Sequence, residues 1–445
     1  MMAVAEERLL LRAGLGERAR RLAESAPGWL GRRRAAALAR FEERGFPTTR
    51  EEAWRKTSVA PIARTAFRPA DAPRDAGAAV AAASLPGSGE ARIVFVNGRH
   101  VPEMSSPAPA GVEALSLRGL LARDPDRLSP LLGEVLGDRG HVFADLNTAL
   151  FEDGAAVLVA PGAAPAVPVH LVHVSTGGDG EPAASFPRTL VVAGRGSEAT
   201  VVESYRGPGG AAYLTVPVSE ALLEDGARLD HYRLQDEGDA AFHVSTFAVR
   251  QGRDTGFTDH SISLGAALSR HDLDQVFAGE GGECTLNGLF LADGTRHTDT
   301  HTRIDHAVPH CASRELYKGV LDGSARGVFD GLIVVRKGAQ KTDAWQTNKN
   351  LLLSRQALVD STPRLEILAD DVKCRHGSTT GQLDPGALFY LRSRGISEAA
   401  ARSLLIYAFA SDLVHRLRVE SLRRAVEAHL RSHLAGAREV EEALP

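Results

Sequence analysis

FHVSTFAVRQGRDTGFTDHSISL, residues Phe242 to Leu264, contains two short runs of alternating and β-branched residues, Phe242–Arg250 and Phe257–Leu264, with a turn at Gly252 between them. Successive side chains on an extended chain point to opposite faces, so this texture predicts strands rather than helices. It continues on both sides, through Thr189–Ala193, Thr200–Ser204 and Arg228–Leu234 before it, and Cys284–Leu291 and Val328–Val335 after it. Turn glycines at Gly226, Gly252 and Gly282 recur too irregularly for a propeller blade, yet within the range of one solenoid coil. Gln346, Asn348 and Asn350 share one face of an extended segment, where amides can stack in ladders from coil to coil. The pattern predicts a mainly β protein whose body is a parallel β-helix, or β-solenoid; a pair of β-sandwiches is the competing arrangement.

Helical periodicity flanks this body. From Glu6 to Glu43 apolar residues fall at helical spacing, interrupted at Pro27 and Gly31, and Leu117–Leu136 repeats the pattern. In GFPTTREEAWRKT, Gly45–Thr57, Thr48 or Thr49 can cap a helix with Glu51 and Glu52 in its first turn. Pro69–Gly89 reads as a linker or exposed loop, and a short strand, Arg92–Val96, ends at the turn signal Asn97-Gly98. Near the C-terminus, Asp384 can cap a helix starting at Pro385 and stopping before Gly395, Ser397 caps a second, and Val419–Leu434 makes a basic amphipathic third. The expected organisation is a mostly helical segment over 1–140, the β-helix over 141–380 and a helical unit over 381–445. The last could close the end of a solenoid or carry a partner's docking face.

At 445 residues the chain is long enough for roughly three domains. With 52 Lys and Arg against 56 Asp and Glu, the net charge of −4 gives no global field for phosphate backbones, which argues against a general nucleic-acid binder. Three cysteines, Cys284, Cys311 and Cys374, are odd in number and widely spaced, unlike a secreted disulfide framework. The N-terminus mixes acids and arginines where a signal peptide needs an apolar stretch, and no apolar run reaches the ~18 residues of a membrane span. A cytoplasmic location is expected, with no membrane contact.

Two phosphate-site mimics can be set aside. TLVVAGRGSEA, Thr189–Ala199, carries G-x-G-x-x-A, but a strand-like TVVESY follows where a dinucleotide fold needs a helix. KGAQKT, Lys337–Thr342, lacks the spacing that wraps amides round phosphate, so no nucleotide site is expected in this chain. Two polar clusters remain. In RHTDTHTRIDHAVPHC an extended chain puts His297, Asp299, His301, Arg303 and Asp305 on one face and the threonines on the other; with His306, His310 and Cys311 nearby this is either an iron or zinc site or a solvated polar strand. In ADDVKCRHGSTTG, Ala369–Gly381, Cys374 and His376 share a side while Lys373 and Arg375 share the other. A thiolate favoured by neighbouring cations and an imidazole are two metal ligands, so they form half a site completed by another chain, or a buried Cys and a hydrogen-bonded His.

The run LEILADDVKCRHGSTTGQLDPGALFYLRSRGIS from Leu365, YKGVLDGSARGVFDGLIVVRKGAQKTDAWQTNKNLLLS from Tyr317, and the N-terminal GFPTTREEAWRKT resemble the SufB/SufD family of iron–sulfur cluster assembly scaffolds, in wording closest to the SufD branch. The resemblance implies a right-handed parallel β-helix flanked by helical domains. It also implies a non-enzymatic subunit that pairs with a SufB-like chain and docks a SufC-like ATPase through its C-terminal helices. His376, with Cys374 beside it, would then contribute metal ligands to a transient iron or nascent iron–sulfur cluster at the SufB interface. Arg375 departs from the small residue more usual at its position, and should point away from both ligands. A homodimer when alone, a purely structural subunit, and a metal-dependent β-helix enzyme using the His297 to Cys311 cluster are the further readings.

Overall fold

The alternating runs become strands of two long, facing sheets. The computed structural model describes residues 14–70, 77–83, 85, 91–137, 141–177 and 180–432. Phe242–Gln251, Leu268–Phe277, His297–His306, Arg326–Val335 and Leu358–Ile367 pair in parallel within a 12-stranded sheet. The strands between them, from Arg228–Asp236 through Gly256–Ser263, Glu283–Ala292, Ala312–Leu321 and Asp343–Leu352 to Lys373–Gly381, pair in parallel within a 10-stranded sheet. Sequential strands thus enter opposite sheets, and the chain winds as a flattened β-solenoid. Sandwiches are excluded, because they are built from antiparallel pairs.

The register sorts the lumen into files. Leu229, Phe257, Cys284, Ser313, Ala344 and Cys374 lie in one; most of it joins Val249, Leu273, Ile304, Phe329 and Ile333 in the main apolar core. Two residues further along each strand the files turn polar: His231, Asp259, Leu286, Glu315, Gln346 and His376, then Arg233, Ser261, Gly288, Tyr317, Asn348 and Ser378. The expected amide ladder does not form. Gln346, Asn348 and Asn350 do face the lumen, but their register partners are Glu315, Tyr317 and Gly319 on one side and His376, Ser378 and Thr380 on the other. Gln346 Nε2 donates to Glu315 Oε2 at 2.6 Å and Asn348 Nδ2 to the Tyr317 carbonyl at 3.3 Å instead.

Helices cover the outside. Gly16–Ser25, Gly28–Arg44 and Val142–Leu150 bury Leu15, Leu30, Leu38, Phe41, Phe143 and Leu146 together with Leu190, Val244 and Leu268 of the 12-stranded sheet. Gly31 does not break its helix: a Cβ there would lie 2.6 Å from the Ala23 carbonyl oxygen, so glycine permits the two helices to approach. The helix expected after Thr48 is only one 3₁₀ turn, Glu52–Trp54. Ala91–Val96 turns at Asn97 and Gly98, both at positive φ, and adds to the 10-stranded sheet beside Val169–Val174. Much of Pro69–Gly89 lies outside the described residues, as do the residues before Gly14 and those after Ser432.

The C-terminal helices are Pro385–Ser393, capped by Asp384 and stopped at Gly395 with φ of 88°, Glu398–Val414, capped by Ser397, and Glu420–Ser432. Their apolar side, Leu413, Val414, Leu417, Leu422, Val426 and Leu430, packs on Tyr232, Leu234, Ile262 and Leu289 of the 10-stranded sheet. The unit therefore sits on the flank of the solenoid and does not close its end. Among the described residues nothing pairs with the outer edges of Leu358–Ile367 and Lys373–Gly381; the latter is largely solvent-exposed and the former mostly half-buried. No described helix is long and apolar enough to cross a membrane.

Candidate functional site

Cys374 and His376 sit on the terminal strand Lys373–Gly381. Strand alternation puts them on the lumen side: Cys374 packs partly against the main core, and Ser378 Oγ, two residues beyond His376, meets Ser361 Oγ of the facing sheet at 2.8 Å. His376 itself is exposed, because no further coil lies over it. Arg375 points the other way, with its guanidinium carbon 3.0 Å from the centroid of the Trp345 ring, and Arg314 lies near the same ring at 4.5 Å. The expectation that Arg375 faces away from the pair holds. The expectation that flanking cations ready a thiolate does not. Burial pushes the Cys374 thiol up, and Asp343 adds to the effect, while Arg375 is engaged with Trp345 on the outer surface. A metal arriving there would have to displace the thiol proton.

The His297–Cys311 cluster performs a different task. His297 and Asp299 face outward but are covered by the N-terminal segment. Thr57 Oγ1 donates to Asp299 at 2.6 Å and lies 2.8 Å from His297 Nε2. Arg270, with no exposed side-chain surface, donates to Asp299 at 2.7 Å, to Asp272 through two bonds at 2.9 and 2.7 Å, and to the Ala53 carbonyl at 2.8 Å. Its guanidinium lies 3.8 Å from the centroid of Trp54. Burial opposes both charges, but Arg270 and His301 hold the Asp299 carboxyl far below its usual range, and Asp299 raises His301. His306 and Cys311 turn inward instead: His306 Nε2 is 2.9 Å from Ser313 Oγ, and Cys311 Sγ approaches the Pro309 carbonyl at 3.4 Å. Among the described residues no three His, Cys, Asp or Glu side chains form a possible metal site. The candidate iron or zinc cluster is thus corrected to an ion-pair clamp that holds residues 53–57 against the solenoid.

The phosphate-site mimics are both turns. Thr189–Ala199 runs from the strand Arg188–Ala193 through a corner into Glu198–Arg206, and Lys337–Thr342 is the corner before Asp343–Leu352, where Thr342 Oγ1 donates to the Ala339 carbonyl. Sequence reading missed Glu315. Its carboxylate is buried, with no cation against it among the described residues; burial pushes it up to about 7, partly offset by bonds from Thr302 at 2.6 Å and Gln346. Its parity with Tyr317 on one strand would have placed it inside, but only register places it one coil beyond Leu286 and two before His376.

Comparison with known proteins assigns the chain to a family. Residues 173–409 match the family model described as SUF system FeS cluster assembly, SufBD core domain, and residues 15–171 match the SufBD protein N-terminal region. The iron–sulfur cluster assembly protein SufD of Escherichia coli is 33% identical over 402 residues, covering 88% of this chain and 90% of that protein. An iron–sulfur cluster assembly SufBD family protein of Synechocystis is 35% identical over 388 residues, 85% of each chain. SufD of Bacillus subtilis is 29% identical over 293 residues, 64% of this chain and 65% of that one. Together the two family models span residues 15–409, and the chain belongs to the SufB/SufD family, in its SufD branch.

Proposed function

We propose that the chain is a non-enzymatic scaffold subunit for iron–sulfur cluster assembly. It pairs through the open end of its solenoid with a SufB-like subunit. Cys374 and His376 supply two of the ligands to a cluster that is cargo and not a resident cofactor. The observation that supports this reading is their position: a thiol and an imidazole on the lumen side of the last coil, at an end where two sheet edges and the exposed Trp345, Leu358, Ile367 and Leu368 await cover. Exposed edges and apolar side chains invite a further strand layer. Two ligands hold a cluster weakly, which suits a scaffold that must release what it builds.

ATP hydrolysis belongs, on this reading, to a SufC-like partner docked on the C-terminal unit. Phe389 and Tyr390 lie on the helix Pro385–Ser393, which buries none of its side chains, and are 74% and 57% exposed. The same end-to-end surface supports a homodimer when the SufB-like chain is missing. The test is co-expression with candidate SufB- and SufC-like chains, one-step purification and anaerobic reconstitution. The expected result is a ternary complex that gains iron–sulfur absorbance, which His376→Ala greatly weakens while leaving the complex intact. Equal cluster yield from that variant removes the ligand role and leaves a purely structural subunit.

A further inference from the structure

Gln346 is the immediate neighbour of His376 in its file, and its side chain is asymmetrically satisfied. Its Nε2 donates to Glu315 Oε2 at 2.6 Å, while its Oε1, in a residue only 1% exposed, has no partner among the described residues. Buried amide oxygens are rarely left so. While Glu315 is ionised the orientation is not free to reverse, because turning the amide would set its oxygen against the carboxylate oxygens. The space is shaped as well: a Cβ on Gly331 of the facing sheet would collide with Gln346 Nε2.

We propose that Glu315, acting through Gln346, is a positioning residue for His376: it turns the Gln346 amide so that the oxygen is presented to the last coil and accepts the N–H of the imidazole. Nothing in the preceding coil other than this amide shares the register position of His376. An acceptor fixed on one ring nitrogen selects a single neutral tautomer and leaves the other nitrogen with its lone pair free, as an outer group does for a metal-ligating histidine. The value of that arrangement to cluster assembly rests on the function proposed above; the tautomer itself does not.

The tautomer is read in the isolated full chain by 15N NMR of histidine-labelled protein at alkaline pH, with His376→Asn used only to assign the signals. One tautomer should dominate at His376 in the wild type. Gln346→Leu should give a mixture. Glu315→Leu, which frees the amide to turn its NH2 outward, should move the population toward the other tautomer, and Glu315→Gln, which keeps an acceptor, should restore the wild-type spectrum. Should Gln346→Leu not fold, Gly331→Ala displaces the same amide and should give the same mixture. In the reconstituted complex, Gln346→Leu should slow cluster formation about 10- to 100-fold, as loss of an outer-shell partner does. A mixed tautomer in the wild type, or an unchanged spectrum in Gln346→Leu, overturns the proposal. A changed tautomer with no change in cluster formation upholds the positioning role and overturns the ligand role of His376.

Discussion

Replacing Asp299 by Asn tests the clamp that joins the N-terminal segment to the solenoid. The substitution preserves shape but removes the charge that Arg270 meets at 2.7 Å and His301 at 3.0 Å, and weakens the acceptor for Thr57. Removing one member of a fully buried charge pair costs ~3–5 kcal/mol. Arg270 keeps its two bonds to Asp272, so the low end, ~3 kcal/mol, is expected. If the clamp is what anchors Gly45–Thr57, that loss should fall on local opening of the segment, accelerating amide exchange there ~100-fold while strands distant from it, such as Arg228–Asp236, keep their protection. Hydrogen exchange under native conditions, followed by mass spectrometry, measures this directly. The pH dependence has a definite sign. His301 is raised above its ordinary value, so its contribution is complete below ~6.5 and is lost as pH rises through its folded value. Asp272 is lowered to about 2, so its contribution is present above ~4 and is lost as pH falls toward that value. Measured against the base-catalysed intrinsic rate at each pH, the segment's protection should be greatest between ~4 and ~6.5 and should fall in alkali. Uniform acceleration across the chain, or none in Gly45–Thr57, would refute the assignment of Arg270 and Asp299 as the clamp that holds this segment to the solenoid.

Three further outcomes are expected. Glu315 is raised from an ordinary 4.5 to about 7, so its ionisation costs the fold increasingly as pH rises between those values, by up to ~3 kcal/mol; Glu315→Gln should raise the melting temperature at pH 8 but not at pH 5, and should abolish a protonated-carboxyl infrared band that the wild type loses near pH 7. If a SufC-like ATPase docks on the C-terminal unit as proposed, Phe389→Asp should leave the melting temperature unchanged yet weaken its capture at least ~10-fold in a pull-down titration, since large exposed aromatics often serve as binding hot spots. Gly288→Ala should destabilise by ~1–3 kcal/mol in denaturant titration, because the new Cβ would enter the Tyr317 ring, whereas Gly377→Ala meets open space and should be nearly neutral.

Strand existence was legible because alternation is local: Phe242–Gln251 and Gly256–Ser263 appear within a residue or two of where the pattern put them. The stop at Gly395 and the caps at Asp384 and Ser397 were legible for the same reason, each being a short-range hydrogen bond or a backbone angle. What the sequence hid depends on register. Nothing near Arg270 announces that Trp54, more than two hundred positions earlier, covers its guanidinium, nor that Asp299 and Thr57 meet. The histidines of His297–His310 therefore looked like a ligand set, whereas His297 meets Thr57, His301 meets Asp299 and His306 meets Ser313. Likewise the amides at 346, 348 and 350 have the spacing of a ladder, but a ladder needs amides in the coils before and after, and those positions hold Glu315, Tyr317, His376 and Ser378.

The protonation of Cys374 bears on how a scaffold of this kind could give up its cargo. A surface thiol beside two cations would be an eager ligand, ionised before iron arrived and reluctant to let it go. Cys374 is instead half-buried against Ala344 and the end of the apolar core, which favours the neutral thiol. On the function proposed above, metal binding at this sulfur would release a proton, and release of the cluster would be helped by taking one back. Iron affinity at the open end should therefore fall steeply as pH is lowered, and Arg375, stacked on Trp345 on the opposite face, should not protect it. Arg375→Ala in the reconstituted complex is expected to leave the pH profile of cluster retention in place; a profile displaced by that substitution would mean that the outer cation reaches the sulfur after all, and that the ease of release comes from somewhere other than the burial of Cys374.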